Sequence, residues 1–315
     1  MTSVRAVAVD PGRPGKLAVR PVDMPTPSRD EALVRVAAIS LNRGEVRRAQ
    51  DAEAGWRPGW DFAGTVEQAA ADGSGPKAGA RVVGLLDSGA WAEVLAVRTD
   101  RVAELPAEVS FAQAATFPVA GLTALYTVGL GGSLLGKKVL VTGASGGVGH
   151  FAVQLVKLSG GTAVALVHQQ AHAGFVREAG ADVVLVGDDA SGAAPHGPFD
   201  LIVDSVGGRT LSSALDLIAT DGLCVNFGAS GSGEPTIDMR HFFLTGGARI
   251  YGFYLMKELG RHPASVGLAR FGALVAAGSV KPHIALEDDW TKIGEVARAL
   301  LDRRFVGKAV LRVGG

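Results

Sequence analysis

The chain has 315 residues, of which 47% are hydrophobic and 20% charged, as in a soluble globular protein long enough for two domains. Its 31 basic and 31 acidic residues balance, which argues against recruitment of nucleic acid, and no apolar run is long enough to cross a bilayer. The single cysteine, Cys224, excludes an intramolecular disulfide and any zinc site with two thiolates. Together with an N-terminus that lacks a signal-peptide core, this composition leads us to expect a cytoplasmic protein.

The first third of the chain predicts short strands separated by glycine and proline turns. These strands are Val4–Val9, Ala32–Ile39, Phe62–Glu67, Arg81–Leu86 and Trp91–Val97. Short strands with this punctuation are typical of a compact barrel or sandwich. Helices are expected next near Phe111–Thr116 and Leu122–Leu130, and the second should connect this domain to the following one.

From Lys138 the pattern changes to an alternation of strands and helices. The predicted strands are Val139–Thr142, Ala163–Val167, Val183–Val186, Leu201–Asp204, Leu223–Phe227 and Arg249–Phe253. The predicted helices lie near Phe151–Leu158, Ala171–Glu178, Leu211–Ala219 and Met239–Leu244. Apolar strands joined by helices indicate an α/β domain with a doubly wound parallel sheet.

The end of the chain returns to the first domain. A helix is predicted near Ala264–Ala277, another near Thr291–Asp302, and the chain closes with a strand at Lys308–Val313. A final strand needs a sheet to join, and the strands at the front are the natural host. We therefore expect a discontinuous outer domain, residues 1–122 and 263–315, with a nucleotide-binding domain, residues 123–262, inserted between its parts.

The most informative segment runs from Val139 to Leu158. An apolar strand is followed by a glycine-rich turn and then by an apolar stretch with helical periodicity. In this order the turn lets backbone N–H groups approach a dinucleotide diphosphate, and the helix N-terminus adds partial positive charge. Ala144 replaces the first glycine of the usual fingerprint, which is the smallest possible departure. The predicted cofactor-binding residues here are Ala144, Ser145, Gly146, Gly147, Val148 and Gly149.

Further cofactor contacts are expected where the later strands end, because ligands of doubly wound sheets bind at the carboxyl edge. These residues are Ser205, Val206, Phe227, Gly228, Ala229, Phe253 and Tyr254. The end of the second strand carries no carboxylate before Glu178, which favours NADP(H) over NAD(H). His168 and His172 would donate to the 2′-phosphate, although a solvated pair of loop histidines explains them as well.

Six segments give the chain a resemblance to a known family. They are Asn42 with Glu45, Gly59-Trp-Asp-Phe-Ala-Gly64, Ala120-Gly-Leu-Thr-Ala-Leu-Tyr126, Val139–Gly149, Phe199–Gly208 and Gly307-Lys-Ala-Val-Leu311. Taken together, the chain resembles a zinc-independent quinone oxidoreductase of the medium-chain dehydrogenase/reductase superfamily. The resemblance implies a GroES-like β-rich domain beside the Rossmann domain, and a homodimer formed through the sheet edge near Tyr254.

The same resemblance bears on the metal. In the alcohol dehydrogenases of the superfamily, zinc ligands would fall near Asn42, at Trp60, and near Pro118 and Val119. None of these side chains is a cysteine or histidine, and the lobe that binds structural zinc is missing. We therefore expect no bound metal.

The predicted reaction is hydride transfer from NAD(P)H to a quinone or an α,β-unsaturated carbonyl, in a cleft between the two domains. The candidate catalytic residues are Asn42, Thr123 and Glu45, with Trp60 and Tyr126 as further lining. Turn or helix capping would also explain Asn42 and Thr123, and a surface carboxylate would explain Glu45. Arg43, Arg47 and Arg48 are better explained as a solvated face than as a site for an anionic substrate.

Two other functions fit the same sequence. One is an enoyl-thioester reductase or a tailoring reductase of a biosynthetic pathway. The other is a non-catalytic NADPH-binding protein, such as a redox sensor or a crystallin-like structural protein. Turnover of NADPH with simple quinones or enones would distinguish the enzyme from the binding protein.

Overall fold

The computed structural model describes residues 3–231 and 233–314. The strands are β1 Ser3–Val9, β2 Leu17–Asp23, β3 Glu31–Ser40, β4 Asp61–Gln68, β5 Arg81–Leu85, β6 Val94–Arg98, β7 Val102–Glu104, β8 Lys138–Thr142, β9 Thr162–Val167, β10 Val183–Val186, β11 Phe199–Asp204, β12 Ile218–Asn226, β13 Arg249–Gly252, β14 Ile284–Asp289 and β15 Lys308–Arg312. The α-helices are α1 Arg43–Asp51, α2 Phe111–Ala115, α3 Pro118–Gly129, α4 Gly147–Leu158, α5 Ala173–Glu178, α6 Gly208–Leu215, α7 Met239–Thr245, α8 Leu255–Glu258, α9 Ala264–Ala276 and α10 Ile293–Leu301. The chain divides into two compact units, one made of Met1–Leu122 with Leu259–Gly315 and the other of Thr123–Glu258.

The first unit is built on a sheet in the order β14-β15-β3-β4-β5-β7, with β6 also paired to β3 and a separate β1-β2 pair. The closing strand β15 lies antiparallel to β3, with Val310 opposite Ser40, so the end of the chain completes the sheet that the front of the chain began. Trp91, Trp290 and Phe62 are fully buried in its core.

The second unit is a parallel sheet in the order β10-β9-β8-β11-β12-β13. This is the Rossmann order, in which the direction of strand succession reverses between β8 and β11. The strands have continuous apolar runs because helices cover such sheets on both faces, and the central residues Val139–Val141 and Leu201–Val203 are fully buried. The predicted fold class, a GroES-like β-rich domain with a Rossmann domain, is confirmed.

Several local predictions were wrong. The helix α1 and the strands β2 and β7 were not predicted, and β6 begins at Val94 where a strand from Trp91 was expected. The helix expected from Leu122 begins at Pro118, four residues earlier. Within residues 3–231 and 233–314, no helix combines the length and apolar character that a membrane span requires.

Candidate functional site

The glycine-rich turn lies between β8 and α4, at the carboxyl edge of the parallel sheet. Gly146 is the N-cap and the helix begins at Gly147, so the N–H groups of the first helical residues have no acceptor within the helix. A Cβ added at Gly149 would lie 2.5 Å from the carbonyl oxygen of Gly143, so the turn closes tightly only with glycine there. The turn therefore offers unpaired donors and a helix N-terminus to an anionic group.

The loops after β11 and β12 meet this turn. The Ser205 hydroxyl donates to the Thr142 carbonyl oxygen at 3.3 Å, and a Cβ added at Gly228 would lie 2.7 Å from the Ser205 carbonyl oxygen. Val206 and Ala229 belong to the same pair of loops, while Phe227 directly follows β12 and its N–H donates to the carbonyl oxygen of Asp204. The structure therefore brings together the predicted residues of the turn and of both loops.

The residues after β13 lie one strand further along the sheet. Phe253 is buried and its N–H donates to the Asn226 carbonyl oxygen at 2.8 Å, whereas Tyr254 is 57% exposed. Because β13 lies at the edge of the described sheet, Tyr254 and the exposed Ile250 lie beside its outer edge.

The two histidines expected to contact the adenosine phosphate have different surroundings. His168 follows β9, and its Nδ1 lies 2.7 Å from Oδ1 of Asp188, which follows the neighbouring strand β10. His172 is half-buried in a short 3-10 turn, Gln170–His172. Asp188 was not predicted as part of this site, because it follows β10 and the sequence signal lies at the end of β9. The end of β9 carries no carboxylate of its own, but the carboxylate of Asp188 lies beside it.

A buried polar group in the first unit, here called the lysine cluster, consists of Asn42, Glu45, Asp61 and Lys308. Lys308 is 4% exposed, and its ammonium donates to Asn42 Oδ1 at 2.7 Å, to Asp61 Oδ2 at 3.2 Å and to the Leu41 carbonyl oxygen at 3.0 Å. The Asn42 amide donates to Asp61 Oδ2 at 2.7 Å and to Glu45 Oε1 at 2.9 Å. Both N–H groups of this amide are therefore committed inside the cluster, which argues against their use as substrate donors.

Glu45 is fully buried, so the interpretation as a surface carboxylate was wrong. Its Oε1 accepts from the Asn42 backbone N–H at 2.7 Å, and its Oε2 is buried with no hydrogen-bond partner among the described residues. Burial, and then the neighbouring charge of Asp61, raise the pKa of Glu45 well above its usual range, against the opposing effect of Lys308. A protonated Glu45 leaves the cluster with one negative and one positive charge.

Asp61 holds the cluster to the rest of the unit. Its Oδ1 accepts from the Val119 N–H at 2.9 Å, near the start of α3, and its Oδ2 also accepts from the Ser40 hydroxyl at 3.0 Å. A carboxylate at a helix N-terminus is stabilised by the helix dipole. Neither Asp61 nor Lys308 was proposed as a site residue from the sequence, although both lie in segments that carried the family resemblance.

Thr123 lies in the second turn of α3, so the interpretation as a helix cap was wrong. Its carbonyl oxygen accepts from the Thr127 hydroxyl at 2.7 Å. Within the described chain no hydrogen bond engages its own hydroxyl, although the residue is only 5% exposed. Of the three candidate catalytic side chains, Thr123 is thus the one with an uncommitted donor.

Trp60 was predicted to line the cleft, whereas Arg43 was interpreted as part of a solvated face. The half-buried Trp60 ring packs against Gly44, and its Nε1 donates to the Asp87 carbonyl oxygen at 3.1 Å. Arg43 donates to the carbonyl oxygens of Leu300 and Leu301 at the end of α10. Arg43 therefore has a structural role, which differs from both earlier interpretations, a solvated face and a site for an anionic substrate.

Arg48 stacks over the Trp56 ring at 5.0 Å, so this arginine also packs on the protein itself. Among the described residues, no group of three or more histidine, cysteine, aspartate or glutamate side chains could hold a metal ion. Cys224 is buried in the second unit, where burial, and then the charge of Asp204, raise the pKa of its thiol.

Comparisons with known proteins agree with this geometry. A family model described as an alcohol dehydrogenase GroES-like domain matches residues 28–107, and one described as a zinc-binding dehydrogenase matches residues 147–269. The chain therefore belongs to the medium-chain dehydrogenase/reductase superfamily, and quinone oxidoreductases are among its relatives.

Individual relatives add detail. A chloroplastic quinone-oxidoreductase homolog of Spinacia oleracea is 37% identical over 59% of this chain and 63% of its own length. A 2-methylene-furan-3-one reductase of Solanum lycopersicum is 32% identical over 59% of this chain and 52% of its own length. The match thus spans less than two thirds of these relatives. A mycobacterial protein solved in complex with NADPH is 27% identical over 98% of this chain and 100% of that chain, with a TM-score of 0.84.

Proposed function

We propose that this protein is an NAD(P)H-dependent oxidoreductase that transfers hydride to a quinone or an α,β-unsaturated carbonyl without zinc. The observation that carries the proposal is the glycine-rich turn at the start of α4, with its unpaired N–H groups and the loops that meet it. Relatives named as quinone oxidoreductases and as a reductase of a methylene-furanone support the substrate class.

The residues of the chain would bind and orient the reactants. When bound, a reduced nicotinamide would supply the hydride. Reduction of a quinone or enone places negative charge on the substrate oxygen, which needs a hydrogen-bond donor in the transition state. The uncommitted hydroxyl of Thr123 is the proposed donor.

The lysine cluster does not fit a zinc ion. Zinc binds deprotonated thiolates, neutral imidazoles and carboxylates, and Asn42, Trp60 and Val119 offer none of these at the positions of the family's ligands. The available carboxylate, Asp61, accepts a hydrogen bond from the Lys308 ammonium. That positive charge would repel a divalent cation.

We further propose NADPH as the preferred reductant. The end of β9 carries His168 instead of the acid that binds the ribose of NAD, and the mycobacterial relative was solved with NADPH. The nearby Asp188 acts in the opposite direction, since its charge would repel a 2′-phosphate. Fluorescence titrations with NADPH and NADH test this preference, and tighter binding of NADH would contradict it.

The first test of the function combines cofactor binding with turnover. Gly146→Asp would place a carboxylate against the diphosphate, and it should raise the Kd of NADPH by roughly a hundredfold or more. Gly129→Asp, at an exposed position at the end of α3 with no atom near an added Cβ, is the matched control and should bind as the wild type does. Unchanged affinity in Gly146→Asp would refute the placement of the cofactor.

Turnover should then be measured with a simple quinone, an enone and an enoyl thioester. The proposal expects oxidation of NADPH with the quinone or the enone. Activity with the thioester alone would favour an enoyl-thioester reductase. Tight NADPH binding with no turnover of any class would favour a sensor or a structural protein.

The role of Thr123 has a matched pair of variants. Thr123→Val removes the uncommitted hydroxyl and should lower kcat/KM by roughly tenfold or more. Thr127→Val removes a hydroxyl that already donates to the Thr123 carbonyl oxygen, and should leave kcat/KM nearly unchanged. Equal losses in the two variants would contradict the assignment.

We also propose a homodimer formed through β13. In the described sheet β13 has one neighbour, β12, and its side chain Ile250 is 42% exposed. The helix α7, which contacts β12, also exposes Met239, Phe243 and Leu244, each by 60–66%. An unpaired strand edge next to exposed apolar side chains is suited to pairing with a second copy. Light scattering should give a dimer that Phe243→Glu dissociates, while Val266→Glu, an exposed position on α9, leaves it intact. A wild-type monomer would overturn this proposal.

A further inference from the structure

Asp204 is a buried carboxylate at the end of β11, the strand that lies between β8 and β12 in the parallel sheet. It is fully buried, and among the described residues its hydrogen-bond donors are all neutral. A buried carboxylate is costly unless its oxygens are well hydrogen-bonded. The arrangement around Asp204 therefore needs a reason beyond simple packing.

The donors come from several strand ends. Oδ1 accepts from the Thr142 hydroxyl at 2.5 Å, at the end of β8, and from the Val206 N–H at 3.3 Å. Oδ2 accepts from the Asn226 amide at 2.7 Å, at the end of β12, and from the Gly207 N–H at 3.0 Å. We call Thr142, Asp204 and Asn226 the Asp204 cluster. One carboxylate thus ties together the carboxyl ends of the three central strands.

The same bonds position the loops that carry the predicted cofactor residues. The Thr142 hydroxyl, aligned by Asp204, also accepts from the Ser205 N–H at 3.2 Å. Ser205 lies against the turn at Gly143, and its carbonyl oxygen accepts from the Ser230 hydroxyl at 3.0 Å. On the other side, the Asn226 amide donates to the Gly228 carbonyl oxygen at 2.9 Å. The turn and both loops are therefore oriented through Asp204.

We propose that Asp204 is a positioning residue of the nucleotide site, which aligns the glycine-rich turn and the loops after β11 and β12 for the cofactor. This role rests on the proposed function, because it assumes that these loops bind a nicotinamide dinucleotide. Asp204 acts through Thr142, Asn226 and the backbone of its own loop and does not itself touch the cofactor.

The substitution Asp204→Asn keeps the shape and places an amide where Oδ1 or Oδ2 had accepted two donors. We expect the Kd and the KM of NADPH to rise by roughly tenfold or more, with kcat at saturating NADPH and the KM of the quinone changed by less than about threefold. Thr142→Val cuts the tie between β8 and β11 and should raise the Kd by roughly threefold to tenfold. Thr142→Ser, which keeps the hydroxyl, should recover most of the affinity.

The matched control is Asp182→Asn. Asp182 accepts from the Ala163 N–H at 2.7 Å and pairs with Lys157, and it lies at the opposite, amino edge of the same sheet. Its replacement should lower the melting temperature while leaving the Kd of NADPH as in the wild type. If Asp182→Asn raises the Kd as much as Asp204→Asn at a similar loss of stability, Asp204 is merely structural and the proposal is overturned.

The remaining outcomes are also decisive. Wild-type affinity for NADPH in Asp204→Asn would overturn the proposal. If Asp204→Asn does not fold, the two Thr142 variants provide the test instead. Equal affinities of Thr142→Val and Thr142→Ser for NADPH would also overturn the proposal. If the wild-type protein binds NADPH but reduces no substrate, the proposed reaction is refuted. The role of Asp204 in cofactor binding is then still tested by the NADPH titrations. A wild-type protein that binds neither NADPH nor NADH would refute both.

Discussion

The lysine cluster and the Asp204 cluster solve the same physical problem in different ways. Each buries an aspartate completely, Asp61 in one unit and Asp204 in the other. Asp61 has a buried cation, Lys308, together with a second acid, Glu45. In the described part of the chain, the donors to Asp204 are hydroxyl, amide and backbone groups, which fill the acceptor positions of both its oxygens.

The difference between the two clusters indicates which surroundings require a cation beside a buried carboxylate. At the carboxyl end of β11, backbone N–H groups and the side chains of neighbouring strands are close enough to satisfy both oxygens, so no cation is required. At the start of β4 the neighbours include a second carboxyl group and an asparagine that has to satisfy both acids. There a lysine from the last strand supplies the missing donor and the opposite charge.

The largest expected effect comes from removing that counter-charge. Lys308→Met would leave Asp61 buried without a cation, and we expect the free energy of unfolding to fall by about 3–5 kcal/mol. Urea denaturation of the wild type and the variant measures this loss. Lys157→Met breaks an ion pair whose partners are 37% and 36% exposed, and it should cost less than about 1 kcal/mol. Similar losses in both variants would show that the lysine cluster depends little on its charge.

The second effect concerns the cluster that lacks a cation. Thr142→Val is nearly isosteric and removes one donor from Asp204 together with the acceptor of the Ser205 N–H. Each group left unsatisfied is buried or partly buried, so we expect a loss of about 1–3 kcal/mol in urea denaturation. Thr127→Val serves as the control, because the Thr127 hydroxyl donates to the carbonyl oxygens of Thr123 and Ala124 in its own helix. A loss below about 0.5 kcal/mol in Thr142→Val would mean that the other donors suffice.

The two units also differ in how far the sequence predicted them. Most strands of the Rossmann unit are apolar runs, and they were found close to their expected positions. The exception is β12, which begins at Ile218 where a strand from Leu223 was expected, because Thr220 and Asp221 interrupt its apolar run. The joining of β15 to the front sheet was predicted too, because a lone final strand needs a partner. In the first unit β7 was missed, since its segment of three residues is too short to show the alternation that marks a strand.

The candidate sites were harder to predict than the fold. The glycine-rich turn is local in sequence, so its position relative to β8 and α4 followed directly from the pattern. Lys308 and Asp61 are distant in sequence and meet only through the pairing of β15 with β3 and of β3 with β4. The hydrogen bonds of Asn42 with Lys308 and Asp61 depend on this strand pairing, so they could not be predicted from the sequence.

One sequence signal for Glu45 was available. Asn42 followed three residues later by Glu45 is the pattern of a helix start, in which the glutamate bonds back to the N-cap backbone. That pattern would have predicted α1 and an inward-turned carboxyl group in place of a surface one. Asp188 was missed for a different reason, because its contact with His168 joins the ends of two parallel strands.

The smallest effect tests the second acid of the lysine cluster through its pH dependence. Because the pKa of Glu45 is raised in the native state, the native protein binds more protons than the unfolded chain above the ordinary value of 4.5. Stability is therefore lost as the pH rises from 4.5 toward the native pKa, with a slope that reaches at most about 1.4 kcal/mol per pH unit. Glu45→Gln cannot ionise, so its melting temperature should fall less than that of the wild type over this range.

Relative to the wild type, Asp182→Asn should show a pH dependence of stability opposite to that of Glu45→Gln, because the pKa of Asp182 is lowered where that of Glu45 is raised. Burial acts to raise the pKa of Asp182, but the bonds from Lys157 and the Ala163 N–H outweigh it and lower the pKa. The stability advantage of the wild type over Asp182→Asn should therefore disappear as the pH falls below the ordinary pKa of 3.8.

The Glu45 prediction has a contradicting outcome of its own. If the melting temperatures of Glu45→Gln and the wild type change in parallel with pH, Glu45 is ionised when buried. In that case the lysine cluster would carry a net negative charge and hold two carboxylates with a single lysine.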